Sequence, residues 1–397
     1  MLTPEAVPDY IAHRPAMAAQ VDPGTLQVAE VGDGNLNLVF ICTDASGRGL
    51  VLKQALPYVR LVGPSWPMTE QRADREAAAI GVHSALSDDV CRLIDFDADE
   101  HVLALEDLSN HEVLRTRLNN GGPHDQVADR LGVFVADIAF GTSFLGLGEE
   151  QFRLRAAAAA NPEMCSITED LIFTEPFLGA ERNSARPVVR SEVGRLQADD
   201  EWVGAAMAMK YRFLSTQEAL LHGDLHSGSV FVRGTGPGMS VKTFDSEFAC
   251  YGPVGFDLGL MWANMLAASA RGTVLGEPGR ASSLLATVPS SWSAFRGRIA
   301  ELWPRRRSPE KYPEMFCRDW LARIRQDALG FAGCEIARRI IGLAKISDIE
   351  SLEDRQYAAA VGVLLSWSRA LLVDRSELCF SSLTEIAPEA ADGLATE

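Results

Sequence analysis

The sequence predicts an α+β protein with a β-rich N-terminal part and a longer, mainly helical part. Residues 26–55 form a strand–turn–strand–turn–strand pattern, which is typical of an antiparallel meander. Apolar residues further along recur at helical spacing, as in residues 131–140. Residues 229–232 and 241–244 are short β-type runs on either side of a Gly- and Pro-rich segment, and they predict a hairpin. The β-type segments, together with the helical periodicity that follows, therefore predict the α+β fold class.

The N-terminal part contains five predicted elements, two helices and three strands, before the helical region begins. Thr3, Pro4 and Glu5 are a helix-start signal, and they predict a peripheral helix over residues 3–20. Apolar residues recur at helical spacing over residues 69–79, which predicts a second helix. The three strands are expected at residues 26–31, 36–41 and 50–55.

Length, charge and cysteine content limit the class of protein. The 397 residues suffice for two domains or one large bilobal unit, and the net charge of −17 argues against a broad nucleic-acid or anionic-membrane surface. Neither a secretion signal nor an apolar run approaching the roughly 20 residues of a membrane span is expected. The seven scattered cysteines lack a CxxC pair and predict free thiols in a cytoplasmic protein.

Two carboxylates flank the predicted hairpin, one at each open end. Asp224 precedes the first strand, within His222-Gly-Asp, and Asp245 follows the second, so the hairpin should bring them together. Glu247 lies two residues further on, and in an extended segment that spacing directs both side chains to one side. Asp245 and Glu247 suit Mg²⁺, while Asp224 suits a base on an acceptor hydroxyl, as phosphoryl transfer requires. Solvated loop carboxylates are the alternative.

The β-rich part offers groups that could meet phosphates. Residues 32–37 form a turn with two glycines, where backbone N–H groups can approach a ligand, although such a turn is more often an ordinary β-turn. Lys53 falls in the third strand, where a lysine facing a cleft pairs with the α- and β-phosphates of a nucleotide. Glu76, in the helical run, is a candidate for orienting Lys53. A solvated strand lysine and a helix-surface glutamate are the alternatives.

His-Gly-Asp followed by Asp-x-Glu resembles the eukaryotic-like kinase superfamily, in the branch of aminoglycoside, choline and methylthioribose kinases. Protein kinases have Asn five residues after the base and Asp-Phe-Gly at the metal. Ser229 stands at the first of these positions, and Glu247 replaces the glycine. Glu247 is therefore the natural substitute as a metal ligand.

Further motifs narrow the resemblance to the 5-methylthioribose kinase family. They occur in the family's order over residues 32–345. That family usually has Asp-Pro-Glu and His-Thr-Gly, where this chain has Ser246 and Ser227. The matching stretches are Gly-Asp-Gly-Asn-Leu-Asn-Leu-Val-Phe, Lys-Gln-Ala-Leu-Pro-Tyr, Ser-Trp-Pro, Glu-Asp-Leu-Ser, His-Gly-Asp-Leu-His-Ser-Gly-Ser, Asp-Ser-Glu-Phe-Ala-Cys-Tyr-Gly-Pro-Val-Gly-Phe-Asp and Gly-Cys-Glu-Ile-Ala-Arg-Arg.

The resemblance implies a bilobal protein-kinase-like fold with ATP and Mg²⁺ between the lobes. The small lobe, residues 1–107, would hold a five-stranded antiparallel sheet and a helix, and residues 108–397 would form the helical lobe. The implied reaction transfers the γ-phosphoryl group to the 1-hydroxyl of 5-methylthioribose in methionine salvage. The family also implies a homodimer.

The resemblance also assigns roles to individual residues. Asp224 would be the base, and Asp245 and Glu247 the Mg²⁺ ligands. A twin arginine at Arg338 and Arg339 would hold the sugar and counter charge on the transferred phosphoryl group. On the nucleotide side the candidates are Asn37, Lys53, Glu106, Asp107, Leu108, Asp245, Ser246 and Glu247, with Glu76, Trp66 and Asp257 in support.

Several segments have competing interpretations. Asp257 either braces the catalytic loop by accepting backbone or His222 hydrogen bonds, or is an acid favoured by a helix N-terminus. His222 and His226 are expected to make structural hydrogen bonds rather than to bind metal. Residues 149–200 are given no chemistry, and residues 272–310 are expected to be a solvated surface with Arg298, Arg305, Arg306 and Arg307. Residues 330–347 predict a helix with Ile336, Ile340, Leu343 and Ala344 on one apolar side.

There are two alternative functions. One keeps the kinase reaction but changes the acceptor, and the other is not an enzyme. The same chemistry could serve 5-deoxyribose, another pentose or an amino alcohol. An aminoglycoside or choline acceptor would need an acidic or aromatic pocket for its ammonium groups, and the twin arginine has the wrong charge for that. The other alternative is a nucleotide-binding scaffold without turnover, which Ser229 in place of Asn would favour.

Overall fold

The computed structural model describes residues 1–32, 36–60 and 63–383, in which a β-rich part precedes a mainly helical part. The α+β class is confirmed. The strands are β1 (Gln27–Glu30), β2 (Asn37–Thr43), β3 (Gly49–Ala55), β4 (Leu93–Asp97), β5 (Val102–Glu106), β6 (Glu112–Val113), β7 (Ala219–Leu220), β8 (Val230–Arg233), β9 (Ser240–Thr243) and β10 (Tyr251–Gly252).

The helices follow the same chain order. They are α1 (Val7–Ala12), α2 (Pro15–Ala18), α3 (Arg72–Ser84), α4 (Leu114–Asn119), α5 (Val127–Thr142), α6 (Phe144–Leu147), α7 (Glu149–Ala158), α8 (Pro162–Thr168), α9 (Glu175–Leu178), α10 (Arg190–Gln197), α11 (Asp200–Ser215), α12 (Gly255–Val274), α13 (Pro278–Leu302), α14 (Glu314–Ile341), α15 (Ser347–Glu350) and α16 (Asp354–Val373).

The N-terminal sheet has five strands in the order β1-β2-β3-β5-β4, all antiparallel. Lys53 lies on β3, the middle strand, opposite Val39 on one side and Leu103 on the other. Its neighbour Leu52 points to the opposite face and joins the apolar cluster of α1 and α2. Alternation along β3 thus gives one face to the core and the other, with Lys53, to the side of α3.

The predicted helix over residues 3–20 is instead two short helices, α1 and α2. Pro15 begins the second helix, and a proline disfavours helical geometry in the residue before it; Arg14 is accordingly extended. The helices are not peripheral either, because Val7, Ile11 and Met17 are fully buried against the sheet.

A second, three-stranded sheet contains the predicted hairpin. β8 pairs with β9 from Val230 opposite Thr243 to Arg233 opposite Ser240, and β6 pairs with the other edge of β8. The hairpin prediction is therefore confirmed. The Gly-rich turn between the two strands made it possible to predict the hairpin from the sequence alone.

The core of the helical part is α12, which packs against α13, α14 and α16. Gly259 permits a close approach, because a Cβ there would lie 2.7 Å from the Ala328 carbonyl oxygen of α14. Asp257 in the first turn of α12 and Arg338 in the last turn of α14 each contact the segment of residues 222–224. Both ends carry residues of the candidate site.

The expectation of a solvated surface over residues 272–310 is wrong for most of that segment. Residues 278–302 form the 25-residue helix α13, which packs on α5. Trp292, Phe295 and Ile299 are buried there at helical spacing. Pro289 lies inside the helix, so the Gly, Pro and Ser residues do not end it. Arg305 and Arg307 beyond it are exposed, as expected.

Two further expectations need correction. Helix α14 ends at Ile341, so Leu343 and Ala344 are not on its apolar side, and Leu343 is exposed. By length and composition, α16 is apolar enough to cross a membrane, contrary to the expectation that no segment would be. However, 61% of its apolar window is buried within the protein, against α12 and α14. Core packing therefore accounts for its apolar character.

Candidate active site

A tight loop after β7 holds the His222-Gly223-Asp224 segment. Gly223 has a φ of +84°, and a Cβ there would lie 2.3 Å from the Phe248 carbonyl oxygen, so only glycine fits. Asp257, in the first turn of α12, accepts hydrogen bonds from the His222 N–H at 2.8 Å and the Gly223 N–H at 3.0 Å. Asp257 thus accepts the backbone hydrogen bonds that the bracing interpretation predicts, and it also lies at the N-terminus of a helix.

The Asp224 carboxylate lies between an imidazole and a guanidinium. His226 Nε2 is 3.3 Å from Oδ2, and Arg338 Nη1 is 3.7 Å from Oδ1. Burial by itself raises the pKa of Asp224, but His226, Arg338 and Arg339 outweigh burial and hold that pKa well below its usual range. Asp224 is therefore ionised at neutral pH.

The two histidines of this loop have distinct hydrogen bonds, and neither lies in a group of possible metal ligands among the described residues. His222 Nε2 donates to the Phe244 carbonyl at 3.0 Å, and its Nδ1 accepts from the Asp224 N–H at 3.4 Å. His222 thus links the Asp224 loop to the residue before Asp245, as the structural interpretation predicted. The contact of His226 with Asp224 was not predicted.

Three carboxylates converge on the other side of the site. Glu76, Asp245 and Glu247 each place an oxygen within 4.8 Å of the other two, a donor set that suits a hard cation such as Mg²⁺. Asp245 and Glu247 come together as predicted, but the geometric reason was wrong. Asp245 has a φ of +68°, so the segment is not extended and the alternation argument does not apply.

Lys53 points into this carboxylate group. Its Nζ lies 2.9 Å and 2.7 Å from the two oxygens of Glu76 and also contacts Asp245. Burial lowers the pKa of Lys53, but Asp245 and Glu76 outweigh it and raise that pKa overall. Burial raises the pKa of Glu76 to about 7, against the opposing effect of Lys53. The predicted pairing of Lys53 with Glu76 is present.

An unpredicted arginine fixes Glu247. Arg72 is buried in the first turn of α3, with its Nε 3.4 Å from Glu247 Oε2 and its Nη2 donating to Asn37 Oδ1 at 3.0 Å. Asn37 Nδ2 donates to the same Glu247 oxygen at 2.9 Å. Both ends of the Asn37 amide are therefore used within the protein. Residues 33–35 of the predicted two-glycine turn at residues 32–37 lie outside the described residues.

Residues 149–200, to which the sequence assigns no chemical role, contain a side chain that supports the segment around Glu247. Asn161 Nδ2 donates to the carbonyl of Glu247 at 2.9 Å and to that of Ala249 at 3.1 Å. Ser246, between the two acids, is buried, and its hydroxyl has no hydrogen-bond partner within the described chain. The Asn161 contact lacks a sequence signal, because it joins segments far apart in the chain.

Ser229 is part of the loop rather than a free ligand. Its hydroxyl donates to the Asp224 carbonyl at 2.7 Å and accepts from the His226 N–H at 3.0 Å. The side chain at the position of the protein-kinase asparagine is therefore committed to shaping the Asp224 loop.

The predicted nucleotide-binding residues Glu106, Asp107 and Leu108 lie at the end of β5 and in the segment that leads to β6. The Glu106 N–H donates to the Arg92 carbonyl at 3.0 Å, and the Asp107 carboxylate accepts from the Ser109 N–H at 2.8 Å. Within residues 1–32, 36–60 and 63–383, no hydrogen bond of the Leu108 N–H is found, while its carbonyl accepts from the His111 N–H at 2.8 Å. The Leu108 N–H is thus available to a ligand.

The twin arginine lies in the last turn of α14, and both side chains are largely buried. The buried Glu335 pairs with Arg338 at 3.1 Å and also with Arg339. Burial and the neighbouring Arg338 lower the pKa of Arg339 to about 10, whereas Glu335 and Asp224 outweigh burial and raise that of Arg338. Arg338 Nε and Arg339 Nη2 have no partner among the described residues.

Trp66 lines a cavity of about 370 Å³. The guanidinium of Arg182 stacks 4.7 Å from the centre of its ring. Trp66 also joins an apolar cluster with Phe248, the residue after Glu247. The cavity is lined by Trp66, Glu163, Ser166, Ile167, Asp170, Leu171 and Arg182.

Residues 27–295 match the model of the phosphotransferase enzyme family. The methylthioribose kinase of Yersinia pseudotuberculosis serotype O:1b (strain IP 31758) is 38% identical over 378 residues, covering 92% of this chain and 91% of that protein. The methylthioribose kinase of Geobacillus sp. (strain WCH70) is 38% identical over 367 residues, covering 91% and 89%. A microcompartment-associated aminopropanol kinase structure aligns with a TM-score of 0.48 at 13% identity, covering 92% and 98%.

Proposed function

Because this chain belongs to the phosphotransferase enzyme family and, within it, to the methylthioribose kinases, we propose that it transfers the γ-phosphoryl group of ATP to the 1-hydroxyl of 5-methylthioribose. The product would be 5-methylthioribose 1-phosphate, an intermediate of methionine salvage. The observation that carries the proposal is the position of Arg338 beside Asp224, since it joins a base and a cation on the acceptor side.

On the acceptor side, Asp224 would accept the proton of the sugar hydroxyl. Its lowered pKa makes it a weak base, which suits phosphoryl transfer because the loose transition state depends on orientation more than on basicity. Arg338 and Arg339 would bind the sugar and the transferred phosphoryl group through guanidinium donors that have no partner in residues 1–32, 36–60 and 63–383.

On the nucleotide side, Lys53 would bind the α- and β-phosphates with Glu76 holding its ammonium group. The Glu106 carbonyl and the Leu108 N–H would contact the adenine. Asp245 and Glu247 would hold Mg²⁺, which neutralises charge on the β- and γ-phosphates when bound. The carboxylate oxygens gathered with Glu76 fit that ion, and Arg72, Asn37 and Asn161 fix Glu247.

Other features of the protein are part of the same proposal. The boundary between the lobes would lie at residues 107/108, directly after the end of β5 at Glu106. A cytoplasmic homodimer is proposed from the family, and the seven cysteines are all free thiols, which fits a reducing compartment.

The alternative acceptors and the non-catalytic scaffold are less favoured. A scaffold without turnover would not need a charged carboxylate beside a twin arginine. Ser229 was the main argument for that scaffold, and its hydroxyl instead holds the Asp224 loop. Discrimination among pentoses depends on the pocket around the 5-substituent, so it is a question for the assay.

The test is Mg²⁺-dependent ADP release from ATP with 5-methylthioribose, 5-deoxyribose, ribose, choline and kanamycin as acceptors. We expect the highest kcat/KM with 5-methylthioribose and no turnover of any acceptor when EDTA replaces the metal. A preference for another acceptor would overturn the assigned substrate. ATP binding without ADP release from the whole panel would overturn the proposed enzyme activity.

A further inference from the structure

The imidazole of His226 is held in one tautomer by its surroundings. Its Nδ1 faces the Gly228 N–H at 2.9 Å and Arg115 Nη2 at 3.5 Å. Both of these groups can only donate hydrogen bonds, so Nδ1 must be the unprotonated acceptor. The single proton of the neutral ring is therefore on Nε2.

Arg115 cannot easily move away from this position. Its Nη2 donates to Asn264 Oδ1 at 2.9 Å, and its Nε donates to Ser227 Oγ at 3.2 Å and faces the buried Asp348 carboxylate, also at 3.2 Å. The arginine thus belongs to a network that joins α4, the Asp224 loop, α12 and α15. Because Arg115 is held in place and stays charged, its Nη2 remains a hydrogen-bond donor that faces His226 Nδ1.

The ring is also held neutral. Burial lowers the pKa of His226, and the charges of Arg339 and Arg115 lower it further against the opposing effect of Asp224. A neutral ring with its proton on Nε2 presents a hydrogen-bond donor to Asp224 Oδ2, and the two atoms are 3.3 Å apart. Arg338 is 3.7 Å from the other oxygen, Oδ1. His226 Nε2 is therefore nearer to the Asp224 carboxylate than Arg338 Nη1 is.

We propose that His226 is a positioning residue, which donates its Nε2–H to Asp224 Oδ2 and so leaves Oδ1 directed at the acceptor hydroxyl beside Arg338. The inference rests on the proposed kinase reaction. Rotation of an aspartate carboxylate about its last torsion has only broad minima, so a donor on one oxygen is needed to fix the other. Misplacement of a reacting group by about 1 Å can cost about a hundredfold in rate.

His226 has a second, purely structural contact that the experiment must separate from the first. Its Nδ1 caps the turn by accepting the Gly228 N–H. Asparagine at this position places an oxygen close to where Nδ1 lies, so it keeps the cap but cannot donate to Asp224. Glutamine places an amide N–H close to where Nε2 lies, so it can donate to Asp224 but loses the cap.

The test compares His226→Asn with His226→Gln in steady-state kinetics with Mg²⁺, ATP and 5-methylthioribose. We expect His226→Asn to lower kcat by about tenfold or more while the KM for ATP changes less than about threefold, and His226→Gln to recover most of that kcat. The exposed His13→Asn is the matched control and should behave as the wild type.

The opposite order, with His226→Asn active and His226→Gln inactive, would overturn the proposal, because the cap alone would then matter. Equal kcat in both variants would overturn it as well. If His226→Asn does not fold, as judged by its thermal midpoint, His226→Gln decides: it must retain kcat within about fivefold of wild type. A wild-type enzyme without turnover would instead refute the kinase reaction itself.

Discussion

The Nη1 atom of Arg338 lies 3.7 Å from Oδ1 of Asp224, in a site where both side chains are largely buried. The contact joins the last turn of α14 to the loop after β7, and it makes the acceptor side of the cleft a pair of opposite charges. A buried pair of this kind stays charged only because each partner, together with Glu335 and His226, compensates the loss of water.

Asp224→Asn should lower kcat by about 10²- to 10⁴-fold, the usual contribution of a positioned base, because the amide cannot accept the hydroxyl proton. ATP affinity should stay within about threefold of wild type, since Asp224 faces the acceptor. ADP release and a fluorescence titration of nucleotide measure the two quantities. Retained turnover would remove Asp224 from the role of base.

Arg338→Lys keeps the positive charge but loses the planar guanidinium. We expect kcat/KM for the sugar to fall by about tenfold or more, with a much smaller change in the KM for ATP. Initial rates at varied sugar and fixed ATP, then the reverse, separate the two. A loss confined to ATP binding would mean that Arg338 serves the nucleotide instead.

Gly223→Ala should destabilise the fold far more than Gly47→Ala, although both glycines have positive φ. An added Cβ at Gly223 would lie 2.3 Å from the Phe248 carbonyl oxygen, whereas at Gly47 it would meet nothing within 4 Å. Strain alone costs about 1 kcal/mol at Gly47, and the clash should add about 2 kcal/mol or more at Gly223. Urea unfolding of the pair measures the difference, and equal losses would contradict the close approach of Gly223 to Phe248.

Asn161→Ala should weaken the support of the metal motif. It leaves the carbonyls of Glu247 and Ala249 without their side-chain donor, which should cost about 1–3 kcal/mol of unfolding free energy. The Mg²⁺ concentration for half-maximal rate should rise as well, because Glu247 is less well held. The exposed Asn120→Ala is the control, and a variant with wild-type stability and Mg²⁺ dependence would contradict the role of Asn161.

His83→Phe should reduce the sensitivity of folding to acid. His83 is fully buried against the ring of Phe134, and burial lowers its pKa from 6.5 to about 3. Between those values the unfolded chain binds a proton that the folded chain does not, so stability falls as pH decreases below 6.5. From pH 7 to pH 5 this should amount to about 2 kcal/mol in the wild type. Urea unfolding at both pH values measures it, and an unchanged pH dependence in His83→Phe would contradict the assignment.

Much of the candidate site could be read from local sequence. Asp224, Asp245 and Glu247 lie at the ends of a hairpin whose turn residues predict the hairpin directly, and Lys53 lies on a strand whose alternation is visible. In contrast, the solvated interpretation of residues 272–310 is wrong because Gly, Pro and Ser do not end the helix there. The buried positions Trp292, Phe295 and Ile299 carry a helical period that outweighs them.

The sequence by itself determined the fold class, the hairpin and the acids at the centre of the site, because turn chemistry and strand periodicity act over neighbouring residues. The family followed from the resemblance of its motifs. Only the tertiary structure decided that His226 faces Asp224, that Arg72 and Asn161 hold Glu247, and that the twin arginine is buried. Those contacts depend on where packed helices and loops bring distant segments together. The resulting burial also determines which side chains stay charged. Neither these contacts nor the burial can be read from any single position of the chain.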